Sequence, residues 1–135
     1  MFPASSKEGG QCFGFPDVCL TPAPPAPPVP IPYPNFGMVM TAEEECEKVK
    51  ICQMPALNEA CEIPKSQGDE AGSNGGVVSG VFGDKVVYKE SSPKVKFEGA
   101  GAVFHMARTD HNGANSNAPM GRQVAPSQIK VLVIR

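Results

Sequence analysis

Val29-Pro30-Ile31-Pro32-Tyr33-Pro34-Asn35 closes a segment, residues 16–34, in which nine of nineteen residues are proline. Proline fixes φ and lacks an N–H, so the stretch is extended, stiff and unable to be helical. At polyproline pitch residues 21–34 reach about 40 Å, at ~3.1 Å per residue. In an extended strand alternate N–H groups point to the same edge. Pro28, Pro30, Pro32 and Pro34 strip one edge of donors, whereas Val29, Ile31 and Tyr33 keep theirs on the other. The segment is therefore expected to pair on one side only and to terminate a sheet. A second reading is a docking motif, since Pro22-x-x-Pro25 and Pro25-x-x-Pro28 match a minimal PxxP. Such ligands usually carry a flanking basic residue, and no Lys or Arg occurs between Lys7 and Lys48. The wall is preferred over the docking motif.

The chain has 135 residues, the size of a single domain with a modest core. Its 14 glycines and 15 prolines, 29 of 135 residues, fall short of a composition that alone implies disorder. Seven Phe, two Tyr and 41% hydrophobic residues are enough for a core. The net charge of −2 comes without a basic stripe, which argues against a nucleic-acid partner. No apolar run approaches the ~20 residues that span a bilayer, so stable membrane insertion is not expected. The opening MFPASSKEGGQ has no h-region, so Sec export is not expected. Five cysteines, at 12, 19, 46, 52 and 61, make an odd count outside a secretory context, and reduced thiols are preferred over a disulfide scaffold. All five lie in the first 61 residues, whereas His105 and His111 lie in the last 31. A site using both types must join the two ends of the chain.

The rest of the chain reads mostly as β. Thr41-Ala42-Glu43-Glu44 resembles a capping box, so residues 42–48 suit one or two helical turns. Lys48-Val49-Lys50-Ile51-Cys52 alternates like a strand, and the two readings compete. Val77-Val78, Val81-Phe82 and Lys85-Val86-Val87-Tyr88-Lys89, with Gly83-Asp84 between, predict a hairpin. Lys94-Val95-Lys96-Phe97-Glu98 places Val95 and Phe97 inward. A turn at Gly99 and Gly101 leads to a strand at Ala102-Val103-Phe104-His105-Met106. Residues 110–121 read as a polar loop. The run Ile129-Lys130-Val131-Leu132-Val133-Ile134 reads as a strand covered on both faces. Short strands separated by turn residues predict a small all-β domain.

Cys12-Phe13-Gly14-Phe15-Pro16-Asp17-Val18-Cys19-Leu20-Thr21-Pro22, followed by Pro30-Ile31-Pro32-Tyr33-Pro34-Asn35, resembles the opening signature of PAAR-like domains. Gly68-Asp69-Glu70-Ala71-Gly72, Gly76-Val77-Val78-Ser79, Val95-Lys96-Phe97-Glu98-Gly99 and His111-Asn112 resemble that family in the same order. The matching segments span residues 12–112. The resemblance implies a single small β-rich cone over residues 1–135, with the Pro-rich segment 16–36 built into it. It also implies a tip that caps and sharpens the trimeric VgrG-type spike of a type VI secretion system or related contractile injection machine, one tip per trimer. Such a tip resides in the bacterial cytoplasm and leaves with the spike on firing. The chain stops at Arg135 soon after its last predicted strand, so effector or adaptor cargo is expected to bind noncovalently. An apolar β surface carrying the C-terminal strand is the candidate base.

The resemblance further implies a structural zinc near the point, held by histidine and cysteine. Zinc would tie loops together where little core exists. Cys12-x6-Cys19 and His105-x5-His111 would supply an S2N2 tetrahedron, though neither spacing is a zinc-finger signature. His111 and Cys19 lead because they lie inside matching segments, followed by Cys12 and His105. Cys46, Cys52 and Cys61 stand in reserve; packing roles remain open for Cys12 and Cys19, and a solvent-facing strand position for His105. No P-loop, G-x-S-x-G, H-E-x-x-H or dinucleotide fingerprint is present. Asp110-His111 beside a cysteine imitates a nucleophile–base pair, but Asp110 and Asn112 equally shape a turn. Gly68-Asp69-Glu70-Ala71-Gly72 has too few carboxylates for a calcium cage and reads as a turn. A non-enzymatic tip is the preferred function; the alternatives are a Pro-rich adaptor and a small zinc-dependent enzyme.

Overall fold

In a computed structural model, residues 2–113 and 117–134 are described. In chain order the strands are β1 (Phe2–Pro3), β2 (Gln11–Ala23), β3 (Ala26–Met38), β4 (Lys50–Ile51), β5 (Met54–Pro55) and β6 (Glu62–Ile63). They continue as β7 (Val86–Tyr88), β8 (Lys96–Phe97), β9 (Ala100–Gly101), β10 (Arg108–His111), β11 (Ala118–Ala125) and β12 (Leu132–Val133). Six of them form the main sheet, in the order β3-β2-β11-β10-β7-β6, with every neighbour antiparallel. Two-stranded sheets pair β4 with β5, β8 with β9, and β1 with β12. The all-β expectation holds, and no helix among the described residues is long and apolar enough to cross a membrane.

The proline segment is the edge strand that its missing donors demand. Tyr33 faces Asp17, Ile31 faces Cys19 and Val29 faces Thr21, so the residues that retain an N–H lie in register with β2. Among the described residues the outer edge of β3 is paired past the prolines, where Phe36 exchanges backbone bonds of 2.7 and 2.8 Å with Gln67. The outer half of the hairpin, residues 24–32, is exposed.

A register shift between Gly14 and Asp17 does most to position the site. A regular strand buries alternate residues, all even or all odd. Here Cys12 and Gly14 are buried before the shift, and Asp17 and Cys19 after it. The irregularity changes the phase of the strand and turns Asp17 inward together with Cys19.

The apolar core gathers Leu57, Ile63, Val86, Val103, Phe104 and Tyr88, with Cys12, Cys46 and Cys61 among them. Phe2 stacks on Phe104 at a centroid distance of 5.5 Å. Val95 and Phe97 pack against this core while Lys94, Lys96 and Glu98 are exposed, as the alternation predicts.

Several expected elements are corrected. Residues 42–48 form no helix; Val39–Thr41 makes a short 3-10 turn, Glu44 takes φ of 61°, and only β4 bears out the strand reading. The hairpin over residues 77–89 is absent, because Gly75 and Gly80 adopt φ of 93° and 75° and fold that stretch into turns. Val77, Val78, Val81 and Phe82 are exposed, and β7 pairs with β6 and β10 instead. Residues 102–106 contribute single bridges at Ala102 and Phe104 and then turn at His105 and Met106. Residues 118–125, half assigned to a loop, form β11. The C-terminal run is not covered on both faces. Ile129 is 76% exposed, and Val131, Leu132 and Ile134 are exposed as well.

Phe104→Ala is expected to lower unfolding free energy by about 3–5 kcal/mol, the range for emptying a fully buried aromatic site. Ile129→Ala should stay within about 0.5 kcal/mol of the parent, as for surface substitutions generally. Urea denaturation of both variants measures the contrast.

Candidate functional site

A second buried region, polar rather than apolar, lies where β2, β3 and the segment 66–84 meet the end of β10, Asn112 and Asn117. Asp17, Cys19, Asn35, Asp69, His111 and Asn112 are each fully buried there, and Asn117 is nearly so. Cys19 is absent from the apolar core cluster that holds Cys12.

Asp17 is the centre. Its Oδ1 accepts from Asn112 Nδ2 at 3.1 Å and from Asn117 Nδ2, and its Oδ2 accepts from Asn35 Nδ2 at 3.0 Å. Each amide is held the right way round by its own oxygen. Asn112 Oδ1 accepts from the Asp84 N–H at 3.2 Å, and Asn117 Oδ1 from the Val78 N–H at 2.8 Å. Asn35 Oδ1 lies 2.7 Å from His111 Nδ1. An amide oxygen only accepts, so Nδ1 carries the proton and Nε2 accepts from the Thr109 hydroxyl at 2.8 Å. Both ring nitrogens are engaged, and the lowered pKa keeps the ring neutral near pH 7. Burial pushes its pKa down to about 4, against a smaller upward pull from the Asp17 charge.

The ring of His111 is also walled in. A Cβ on Gly121 would stand 2.3 Å from His111 Cδ2, and one on Gly14 would stand 2.8 Å from the same atom. Both positions must be glycine because the imidazole lies against the backbone of two neighbouring strands. The motif Gly68-Asp69-Glu70-Ala71-Gly72 is explained likewise. A Cβ on Gly68 would come within 2.4 Å of the Pro34 carbonyl oxygen, and one on Gly72 within 2.2 Å of Cys19 Cβ. The turn, closed by the Gly72 N–H on the Asp69 carbonyl at 2.9 Å, presses onto the proline hairpin and carries Asp69 inside.

Asp69 Oδ2 accepts from the Gly83 N–H at 3.1 Å and weakly from Asn35 Nδ2 at 3.4 Å, whereas Oδ1 is buried without a hydrogen-bond partner. One oxygen of Asp17, one of Asp69 and the Cys19 sulfur all lie within 4.8 Å of one another. Two full charges about 4 Å apart repel by about 4 kcal/mol at an effective dielectric of ~20. Burial and the Asp17 carboxylate push the Asp69 pKa up to about 7. Asp17 moves the other way: its hydrogen bonds, from Asp69 first and then from the asparagines, outweigh burial and lower its pKa. Burial and both carboxylates raise the Cys19 thiol to about 12.

The four ligands expected from the sequence do not assemble. Cys12 sits in the apolar core with its sulfur 3.9 Å from the Tyr88 hydroxyl, its pKa raised to about 12 by burial. His105 is on a partly exposed turn with Nε2 3.1 Å from the Val124 carbonyl oxygen. Of the reserve cysteines, Cys46 and Cys61 flank Asn58 in the core and Cys52 is half-buried. Among the described residues the gathered donor group is Asp17, Cys19 and Asp69, and it contains no histidine. The amides around Asp17 present N–H groups, not oxygens, so the pocket is lined to hold an anion. The residues present do not fit the zinc that the family resemblance implies. Nor do Asp110 and His111 act together: Asp110 lies 3.7 Å from Arg108, while His111 is spent on Thr109 and Asn35.

The sequence reading singled out Cys19 and His111, and both border this region. It missed Asp17, Asn35, Asp69, Asn112 and Asn117. Asp17 and Asn35 stand inside the two most distinctive segments, which was the available signal.

The proline hairpin and the buried polar junction are both built from the two segments that resemble the opening of PAAR-like domains. The chain belongs to the Toxin PAAR-like domain family, whose pattern it matches over residues 10–119. It is 37% identical over 123 residues to the DNase toxin Tse7 of Pseudomonas aeruginosa, an alignment covering 85% of this chain and 32% of that protein. The chain therefore spans about a third of the length of this relative. No solved structure matches it.

Gly121→Ala is expected to destabilise the protein by about 1–3 kcal/mol by overpacking. Adding His111→Ala should cancel part of that cost, a coupling that a double-mutant cycle reads directly. A second expectation concerns pH. The folded-state pKa of His111 lies below its ordinary 6.5, so its contribution is lost as pH falls from about 6.5 to about 4. That of Asp69 lies above its ordinary 3.8, so its contribution is lost as pH rises from about 4 to about 7. The two slopes oppose each other, and the parent should be nearly pH-independent between them. His111→Gln should leave a stability that declines with rising pH over this window, and Asp69→Asn one that increases, each read by thermal denaturation at stepped pH.

Proposed function

We propose that this chain is a non-enzymatic tip that caps the trimeric VgrG-type spike of a type VI secretion or related contractile injection system and recruits effector cargo to it. The observation that carries the reading is membership of the PAAR-like family over residues 10–119. Two structural features support it. A stiff hairpin with ten paired positions suits a part that must not bend under load. The exposed apolar residues Ile129, Val131, Leu132 and Ile134, all within six positions, offer a surface that a spike would cover. The relative carries the name DNase toxin, but this chain aligns with only 32% of it, and the polar junction holds a neutral, fully engaged histidine rather than a poised base. The adaptor reading is weaker, because the proline segment spends its remaining N–H groups on β2 and is not a free polyproline ligand.

Purified chain mixed with its cognate spike trimer is expected to comigrate in size-exclusion chromatography at one tip per three spike chains. Ile129→Glu with Leu132→Glu should weaken that complex by about tenfold or more, as burying two unpaired charges would. Failure of the parent chain to comigrate overturns the proposal.

A further inference from the structure

We propose that the junction of β2, β3, β10 and the segment 66–84 is a metal-free clip, in which Asp69 as a neutral acid donates a hydrogen bond to an ionised Asp17. The proposal is independent of the spike role. It starts from charge: two fully buried carboxyl groups lie together, and among the described residues no Lys or Arg bonds or pairs with either. A positive charge must therefore enter, as a proton or as a metal ion.

The donor count chooses the proton and says where it sits. Three side-chain amides converge on Asp17, which makes it the anion. Asp69 receives on Oδ2 the Gly83 N–H, a share of Asn35 and a long contact from the Cys19 thiol, and its Oδ1 has no hydrogen-bond partner. A proton on Asp69 converts the repulsion between the two carboxyl groups into a hydrogen bond. A metal ion would instead meet amide N–H groups that cannot turn, because Asp84, Val78 and His111 hold their oxygens.

The titratable groups facing the pair are few. Cys19 comes from β2, and its thiol is a further donor, 3.4 Å from Asp17 Oδ1 and 3.9 Å from Asp69 Oδ2. His111 comes from β10 and reaches the pair through Asn35 as a neutral ring. The segment 66–84 adds the Gly83 N–H and the Ser66 hydroxyl, which bonds Asn35 at 2.9 Å. The upward shift of Asp69 and the downward shift of Asp17 agree with this assignment.

The test uses the whole chain, produced in zinc-supplemented medium and purified without chelator. Metal content is measured by mass spectrometry, and thermal midpoints are compared with and without EDTA for the parent, Asp17→Asn and Asp69→Asn. Expected are a zinc content far below one ion per chain, no EDTA effect, and a clear asymmetry between the variants. Asp69→Asn keeps a neutral donor and should melt close to the parent; Asp17→Asn should melt lower by about 5 °C or more, or fail to fold. About one zinc ion per chain with a midpoint that drops on chelation overturns the proposal. So does an Asp69→Asn variant as damaged as Asp17→Asn. Carbon-detected NMR titration of the parent gives an independent reading. One aspartate titrating well above the rest supports the clip, and all aspartates titrating in the ordinary range overturn it.

Discussion

Four separate pieces of chain meet on one carboxylate. Asp17 takes hydrogen bonds from asparagines 18, 95 and 100 positions away, and the turn bearing Asp69 closes over them. A carboxylate suits this task because its two oxygens accept about four hydrogen bonds. An asparagine suits the other side, since its oxygen fastens its own loop while its amide reaches inward. The arrangement does for polar side chains what a core does for apolar ones. It ties the segment 66–84 to Asn112 and Asn117 through side-chain hydrogen bonds.

The register shift in β2 is what makes that convergence possible. Without it the strand would bury either Cys12 and Gly14 or Asp17 and Cys19, but not both pairs. One strand thereby serves two interiors. Its first half feeds the apolar core through Cys12, and its second half feeds the polar junction. His111 belongs to the same economy of space: it fits only because Gly14 and Gly121 carry no Cβ where its ring lies.

How much could be read in advance follows from how local each cause is. The one-sided proline edge was legible, because a missing N–H is a covalent property of the residue itself. The all-β class and the family were legible too, from alternation and from two long, unusual segments. The junction was not. Asn112 and Asn117 look like ordinary turn residues, and only the folded chain shows that their amides share a target. Cys12 and Cys19 look like a pair in the sequence, yet the shift between them sends one into apolar surroundings and the other beside two carboxyl groups. The C-terminal run misled for a different reason: apolarity tells what a strand would prefer to touch, not whether this chain supplies it. The turns at residues 75–83 were hidden by glycines whose positive φ breaks a pattern that reads as a hairpin.

The pairing of Phe2 with Val133 brings the beginning and the end of the described chain side by side on one small sheet. Anything joined to either end would leave the domain from the same place. The two ends of the described chain thus share one patch of the surface, and it is the patch that carries Leu132.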